Sequence, residues 1–358
     1  MGDFGVELEA NVYNRQVGRD QKKFKVWRSA GLMLSYWCPA RCACCYVFSG
    51  PNAGEAATEM SVEDALDHWA AIRRLGGERG KVHLTGGEPF GDFERLERIL
   101  QGACEKRLGG LEKIETNAFW CSNEKLVRER LERLKELGLE RLQISTDVYH
   151  QEYVPMERVE LAFRVAREVL GADGVQVRWR DFYENPVLVG GMDDPGRSEQ
   201  FLAAYKKRRE RLLGRAADEL ANLFPLRDYE NFADNNCVKS FLGARHVHVD
   251  GAGNVFSGTC IGIVVGQVRP REAVALDELW RGFDYRKHPI ISVLVDQGPV
   301  GLLSIAEELG YVGGRGYASK CHLCYELRRF LYEKGVPGQQ LGPGGCYGLN
   351  FEKPQVNA

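Results

Sequence analysis

No run of the 358-residue sequence approaches the roughly 20 consecutive apolar residues of a membrane-spanning helix. Met1 to Arg28 is polar and mixed in charge, without the apolar stretch of a secretory signal. Met1-Gly2 is followed by Val6 where a myristoylation site needs Ser or Thr. Excess positive charge is missing too: 48 Lys and Arg face 50 Asp and Glu, a formal −2, which gives no electrostatic case for nucleic acid. Together these absences point to a cytoplasmic protein that binds neither membrane nor nucleic acid. Hydrophobic content of 44% and charged content of 27% are ordinary for a globular chain, and the length allows one large domain, alone or with a small one.

Cysteine is what the chain does not lack. Eleven in a cytoplasmic protein point to metal rather than to disulfides. Cys38, Cys42 and Cys45 are spaced CxxxCxxC near the N-terminus. Three clustered thiolates can ligate three irons of a [4Fe-4S] cube and leave the fourth open, whereas a sealed electron carrier takes four cysteines. A structural zinc or a buried thiol cluster is the other reading of the triplet alone. About forty residues on, Leu84-Thr85-Gly86-Gly87-Glu88-Pro89 follows a strand-like run and precedes a helical stretch. Adjacent glycines let the main chain approach a ligand closely, and Glu88 can accept a charge-assisted bond from an ammonium group.

In this order and at this distance, CxxxCxxC and Gly86-Gly87-Glu88-Pro89 resemble the signatures of the radical S-adenosylmethionine (SAM) superfamily. The resemblance implies a [4Fe-4S] cluster with an open iron that chelates SAM, cleavage of SAM to a 5′-deoxyadenosyl radical, and hydrogen abstraction from a substrate. It also implies an electron donor such as flavodoxin or ferredoxin. One departure stands out. The family's aromatic residue before the third cysteine is here Cys44, read as a small buried spectator, and the aromatic Tyr46 follows Cys45.

Strand and helix alternate after the cysteine loop. Strands are expected at 31–35, 81–85, 113–116, 141–145 and 175–179. Helices are expected from Ser61 to about Leu75, after Asp92 to about Leu108, at 123–137 and 156–170, and from about Ser198 to Leu213. Such alternation argues an α/β fold with a parallel sheet covered by helices. The resemblance implies a partial (β/α)6 TIM-like barrel of six strand–helix units, with ligands at the carboxyl ends of the strands. We expect an N-terminal extension at 1–29, the barrel at 30–215 and a cysteine-rich C-terminal region at 216–358.

Asn117, Ser145 and Asp147 fall at strand ends and are expected beside SAM, although turn formation would also account for Ser145 and Asp147. Arg178 suits either the SAM carboxylate or a salt bridge. His150 reads as a hydrogen-bonded structural histidine rather than a substrate acid or base.

Cys237, Cys260, Cys321, Cys324 and Cys346 form a second set. Two single cysteines followed by CxxC resemble the auxiliary-cluster extension of the twitch/SPASM type, with a β-hairpin at 246–257. Four thiolates from Cys237, Cys260, Cys321 and Cys324 would ligate one auxiliary [4Fe-4S] cluster; a four-cysteine zinc is the alternative. Cys346 remains as a replacement ligand, a hydrogen donor to a substrate radical, or an inert thiol. Cys104 reads as a core thiol and Cys121 as a buried thiol in preference to one facing the site, and His246 and His248 read as partly exposed strand residues.

The expected function is oxidation, dehydrogenation or a radical crosslink on a small molecule or peptide. The alternatives are an epimerase using Cys346 and a non-catalytic Fe–S or zinc scaffold. The sequence offers no block suited to binding a leader peptide and none suited to cobalamin.

Overall fold

A computed structural model describes residues 5–54, 58–269, 274–336 and 340–349. Five strands, β1 (Ser29–Met33), β2 (Lys81–Thr85), β3 (Leu111–Thr116), β4 (Leu142–Ser145) and β5 (Val175–Arg178), run parallel in sequence order with helical crossovers between them. A sixth parallel strand, β6 (His246–Val249), comes from the C-terminal half and pairs with the free side of β1. Antiparallel β7 (Asn254–Ser257) and β8 (Val264–Gln267) follow, giving one eight-stranded sheet in the order β5-β4-β3-β2-β1-β6-β7-β8. The fold is a mixed α/β partial barrel. Its sixth strand closes the β1 edge instead of extending past β5.

The helices begin where side chains can satisfy their free N–H groups. Ser61 accepts the Asp64 N–H at the start of Val62–Gly76, Asp92 accepts that of Arg95 before Phe93–Glu105, and Asn123 accepts that of Leu126 before Glu124–Glu136. Gly77 ends the first of these at φ +58°, a left-handed conformation that costs glycine little. Helix Val62–Gly76 buries Ala65, Trp69, Ile72 and Leu75, a stripe at three- and four-residue spacing. Each large apolar side chain buried this way contributes about 1.5–3 kcal/mol. Helix Met156–Leu170 packs against Glu124–Glu136.

One helix departs from expectation. It spans Asp194–Lys207, not 198–213, because Asp193 caps Gly196 and Pro195 sits in the first turn. The Gly/Asp/Pro run that reads as a loop is the helix start, where proline costs no hydrogen bond.

The strand period of two divides the sheet. Ala30, Leu32, Val82, Leu84, Ile114, Leu142 and Ile144 join the helices in one apolar core. The opposite face is polar. There Thr85 Oγ1 donates to Glu115 Oε2 at 2.8 Å, Lys113 Nζ to Gln143 Oε1 at 2.7 Å, and Gln143 Nε2 to Glu115 Oε1 at 3.1 Å. His246 and His248 lie on this face. His246 is partly exposed as expected, whereas His248 is only 4% exposed, because β6 is flanked by β1 as well as by its hairpin partner β7. No helix among the described residues is long and apolar enough to cross a membrane.

Candidate functional site

The chain leaves β1 and forms a loop that carries four cysteines. Cys38 N–H donates to the Gly50 carbonyl at 3.1 Å, and Cys45 N–H closes a turn on the Cys42 carbonyl at 3.0 Å. Arg215, 4% exposed, ties this loop down: its guanidinium donates to the carbonyls of Cys42 (3.2 Å) and Ser49 (2.7 Å), and its backbone N–H to that of Cys45 (2.9 Å). Nothing in local sequence marks Arg215, which lies 170 residues from the loop it holds.

Cys38, Cys42 and Cys45 line one cavity with Gly86, Gly87, Glu88, Pro89, Asn117, Ser145, Asp147 and Arg178. Every residue expected at the N-terminal site is therefore brought together at the carboxyl ends of the strands. Burial pushes the Cys38 and Cys42 thiols up, so they hold their protons until a metal displaces them.

The glycine turn is built against the cysteine loop. Gly87 N–H donates to the Ser35 carbonyl at 2.7 Å and Glu88 N–H to that of Trp37 at 2.8 Å. A Cβ on Gly86, at φ +124°, would stand 2.6 Å from the Ser35 carbonyl oxygen, so both glycines serve a backbone–backbone contact. Glu88 is 3% exposed and accepts three bonds: Oε1 from Phe90 N (3.2 Å) and Thr116 Oγ1 (2.8 Å), Oε2 from Asn117 N (2.7 Å). A carboxylate offers about four acceptor positions, so one remains for a ligand's ammonium. Burial pushes Glu88 up to about 7 against the pull of these bonds. Asn117 Nδ2 donates to Cys38 Sγ at 3.4 Å and so joins the turn to the first cysteine.

On the opposite wall Asp147 caps the short helix Val148–Gln151, accepting from the N–H groups of Tyr149 and His150. Its Oδ1 also lies 2.8 Å from His150 Nδ1. Burial alone would raise Asp147; the His150 charge and hydrogen bonds outweigh it and hold the acid below its ordinary value. His150 is thus the hydrogen-bonded histidine expected. Cys44 is a correction. It is partly exposed and groups with Asp147 and His150 within 4.8 Å, because its turn aims it at the cavity along with its neighbours. Arg178 pairs with Glu210 at 3.6 Å. Glu210, Glu115 and Tyr46 also line the cavity. Sequence reasoning gave none of the three a site role; Glu115 was legible only as an inward position on β3.

The second cysteine set also converges. Cys237, Cys260, Cys321 and Cys324 line one cavity of about 260 Å³. Cys321 and Cys324 sit one turn apart at the start of helix Lys320–Glu333, which Ser319 caps. Four thiols with the cations Arg211, Lys239, Lys320 and Arg328 around the same cavity suit an anionic thiolate-bound metal centre. Arg328, 2% exposed, donates to the carbonyls of Cys324 (3.2 Å) and Ile261 (2.9 Å). Burial and the neighbouring thiols push Cys237 up to about 12 and Cys321 up to about 11.

Cys346 lines neither cavity. It is 2% exposed, packed with Met33, Tyr36 and Phe256 behind Cys45 and Tyr46, with its Sγ 3.9 Å from the Tyr36 hydroxyl. Cys121 is buried as expected, whereas Cys104 is exposed rather than core, in the last turn of Phe93–Glu105 at the flank of the buried stripe Leu96, Ile99, Leu100 and Ala103.

A family model described as the Radical SAM superfamily matches residues 32–171. No curated protein matches the chain. Similar solved structures include BtrN in complex with AdoMet and 2-DOIA, at 14% identity over 77% of this chain and 90% of that one, TM-score 0.43. AnSMEcpe with bound AdoMet is similar at 12% identity over 86% and 93%, TM-score 0.43. Streptococcus suis SuiB bound to precursor peptide SuiA follows at 14% over 74% and 66%, TM-score 0.35.

Proposed function

We propose that this chain, whose residues 32–171 match the radical SAM superfamily model, is a radical SAM enzyme that abstracts a hydrogen atom from a small molecule or peptide and oxidises it, by dehydrogenation or a radical crosslink. When bound, a [4Fe-4S] cluster with an open iron supplies an electron and SAM supplies the 5′-deoxyadenosyl radical.

The chain's own residues take these roles. Cys38, Cys42 and Cys45 are the cluster ligands. The free acceptor position of Glu88 takes the SAM ammonium, Gly86, Gly87 and Pro89 shape the turn beneath it, and Arg178 offers its guanidinium to the carboxylate. Asn117, Ser145 and Asp147 supply the polar rim. A flavodoxin- or ferredoxin-type donor delivers the electron.

The observation that favours oxidation is the convergence of Cys237, Cys260, Cys321 and Cys324 on one cation-lined cavity. These are the proposed ligands of an auxiliary cluster, which would accept the substrate radical's electron as its proton is released to solvent. For Cys346, outside both cavities, we propose the inert role. The test is the Cys321→Ala/Cys324→Ala double variant. It should lose about four irons per chain, keep forming 5′-deoxyadenosine, and stop forming a product two hydrogens poorer than substrate. Unaltered product with unaltered iron would remove the auxiliary cluster from the mechanism.

A further inference from the structure

Away from both cysteine sets, His83, His246 and His248 meet on the polar face of the sheet. The strand register brings them together. Gly31, on β1, pairs with His83 of β2 on one side and His248 of β6 on the other, and His246 lies two residues before His248. A Cβ at Gly31 would stand 2.8 Å from Nε2 of both His83 and His248, so the glycine leaves open the space these two nitrogens share. The His246 ring stacks on His83 (centroids 5.1 Å, 17°) and stands edge-on to His248 (4.7 Å, 88°). One ring nitrogen from each of the three lies within 4.8 Å of the other two.

The hydrogen bonds around the cluster leave lone pairs facing inward. His248 Nδ1 lies 2.7 Å from the Gly258 carbonyl. A carbonyl only accepts, so Nδ1 carries the proton and Nε2 keeps its lone pair. His246 Nδ1 lies 2.8 Å from Ser29 Oγ. An outer partner on the second nitrogen is the usual way a metal-binding imidazole is oriented. No hydrogen bond holds His83 Nδ1 among the described residues, so its Nε2, the nitrogen beside Gly31, can present its lone pair to the shared space.

Neutral imidazole is the form that binds metal. The charged groups facing the cluster, Glu115 and Lys113, already pair with each other at 2.9 Å.

We infer that His83, His246 and His248 bind one divalent first-row transition ion of the zinc type. Three imidazoles suit Zn, Cu, Fe or Ni, and three histidines with an open fourth position are a known reactive zinc arrangement. Nitrogens within 4.8 Å of one another need to move by no more than about 0.8 Å each to reach the 2.0–2.1 Å of a zinc–imidazole bond. Because Glu115 is spent on Lys113, the ion's charge is met at the fourth position, by hydroxide or an anionic oxygen of the substrate. That position adjoins the candidate site: Tyr46 and Glu115 line its cavity, and the Tyr46 ring lies 6.2 Å from that of His248. The ion thus sits behind Tyr46 and Glu115, outside the cavity lining itself, and its binding does not depend on the radical reading.

Cluster-loaded protein, with its thiols occupied by iron, is stripped with a chelator and equilibrated with Zn²⁺. Wild type should take up one zinc per chain, with an X-ray absorption spectrum showing only nitrogen or oxygen neighbours at about 2.0–2.1 Å and imidazole scattering. The His83→Gln/His248→Gln variant should bind zinc at least about 100-fold more weakly with unchanged iron. Substoichiometric zinc in wild type, a sulfur shell at about 2.3 Å, or full zinc in the variant would each overturn the site. If the variant does not fold, the wild-type stoichiometry and spectrum decide alone.

Discussion

Gly87 abuts Trp37 backbone to backbone: a Cβ on Gly87 would stand 1.8 Å from the Trp37 carbonyl oxygen, the same oxygen that accepts the Glu88 N–H at 2.8 Å. The acidic turn and the cysteine loop are therefore one rigid unit, and Cys38 follows Trp37 directly.

Gly87→Ala tests that unit. The obstructing atom is main chain, which cannot swing aside as a side chain would, so the loop must shift. Overpacking of this kind costs about 1–3 kcal/mol or more. The variant should melt earlier and load about four fewer irons per chain. A wild-type melting point with full iron would contradict the contact.

Glu88→Gln should weaken SAM binding while leaving iron content intact. The amide accepts on one atom only, and its NH2 would face a donor, either Asn117 N–H or the Thr116 hydroxyl. A loss of about 1–3 kcal/mol corresponds to roughly 5- to 150-fold in affinity, measurable by calorimetry on the loaded protein. Unchanged affinity would make the turn purely structural.

Acid should unfold the protein through its buried histidines, and His68 isolates the effect from both candidate sites. His68 is 2% exposed, its Nδ1 has no partner among the described residues, and burial pulls its pKa down to about 4 from the ordinary 6.5. The unfolded chain binds the proton first. Stability is therefore complete above about pH 6.5 and is lost as pH falls toward 4, by about 3 kcal/mol from this residue. His68→Leu should flatten the stability curve over that window. An unchanged slope in denaturant titrations between pH 6.5 and 4.5 would contradict the assignment.

Much of this was legible because it is local. Ser61, Asp92 and Asn123 announce helix starts through their own side chains, and Gly86-Gly87-Glu88-Pro89 lies within a few residues of the strand that presents it. Asp193 belonged to the same class, yet the glycines and proline around it outweighed its capping role. What escaped is register. That β6 pairs with β1 depends on contacts across more than two hundred residues, and with that pairing unknown His83, His246 and His248 were three unrelated letters. Arg215 and Glu210 escaped for the same reason: one holds the cysteine loop and the other pairs with Arg178 at the end of β5, both partners outside its own stretch of sequence. Cys104 was misread because it falls at the flank of the buried stripe in the helix's last turn, one residue before the helix ends.

The central claim is that Cys38, Cys42 and Cys45 hold a cluster that cleaves SAM, and 5′-deoxyadenosine formation measures it most directly. Protein reconstituted anaerobically with iron and sulfide, then given dithionite and SAM, should produce 5′-deoxyadenosine. The Cys38→Ala/Cys42→Ala/Cys45→Ala variant should produce none and keep about four irons in the C-terminal site. Wild-type protein that loads iron, forms no 5′-deoxyadenosine and shows an EPR spectrum indifferent to SAM would contradict the account and leave a non-catalytic scaffold in its place.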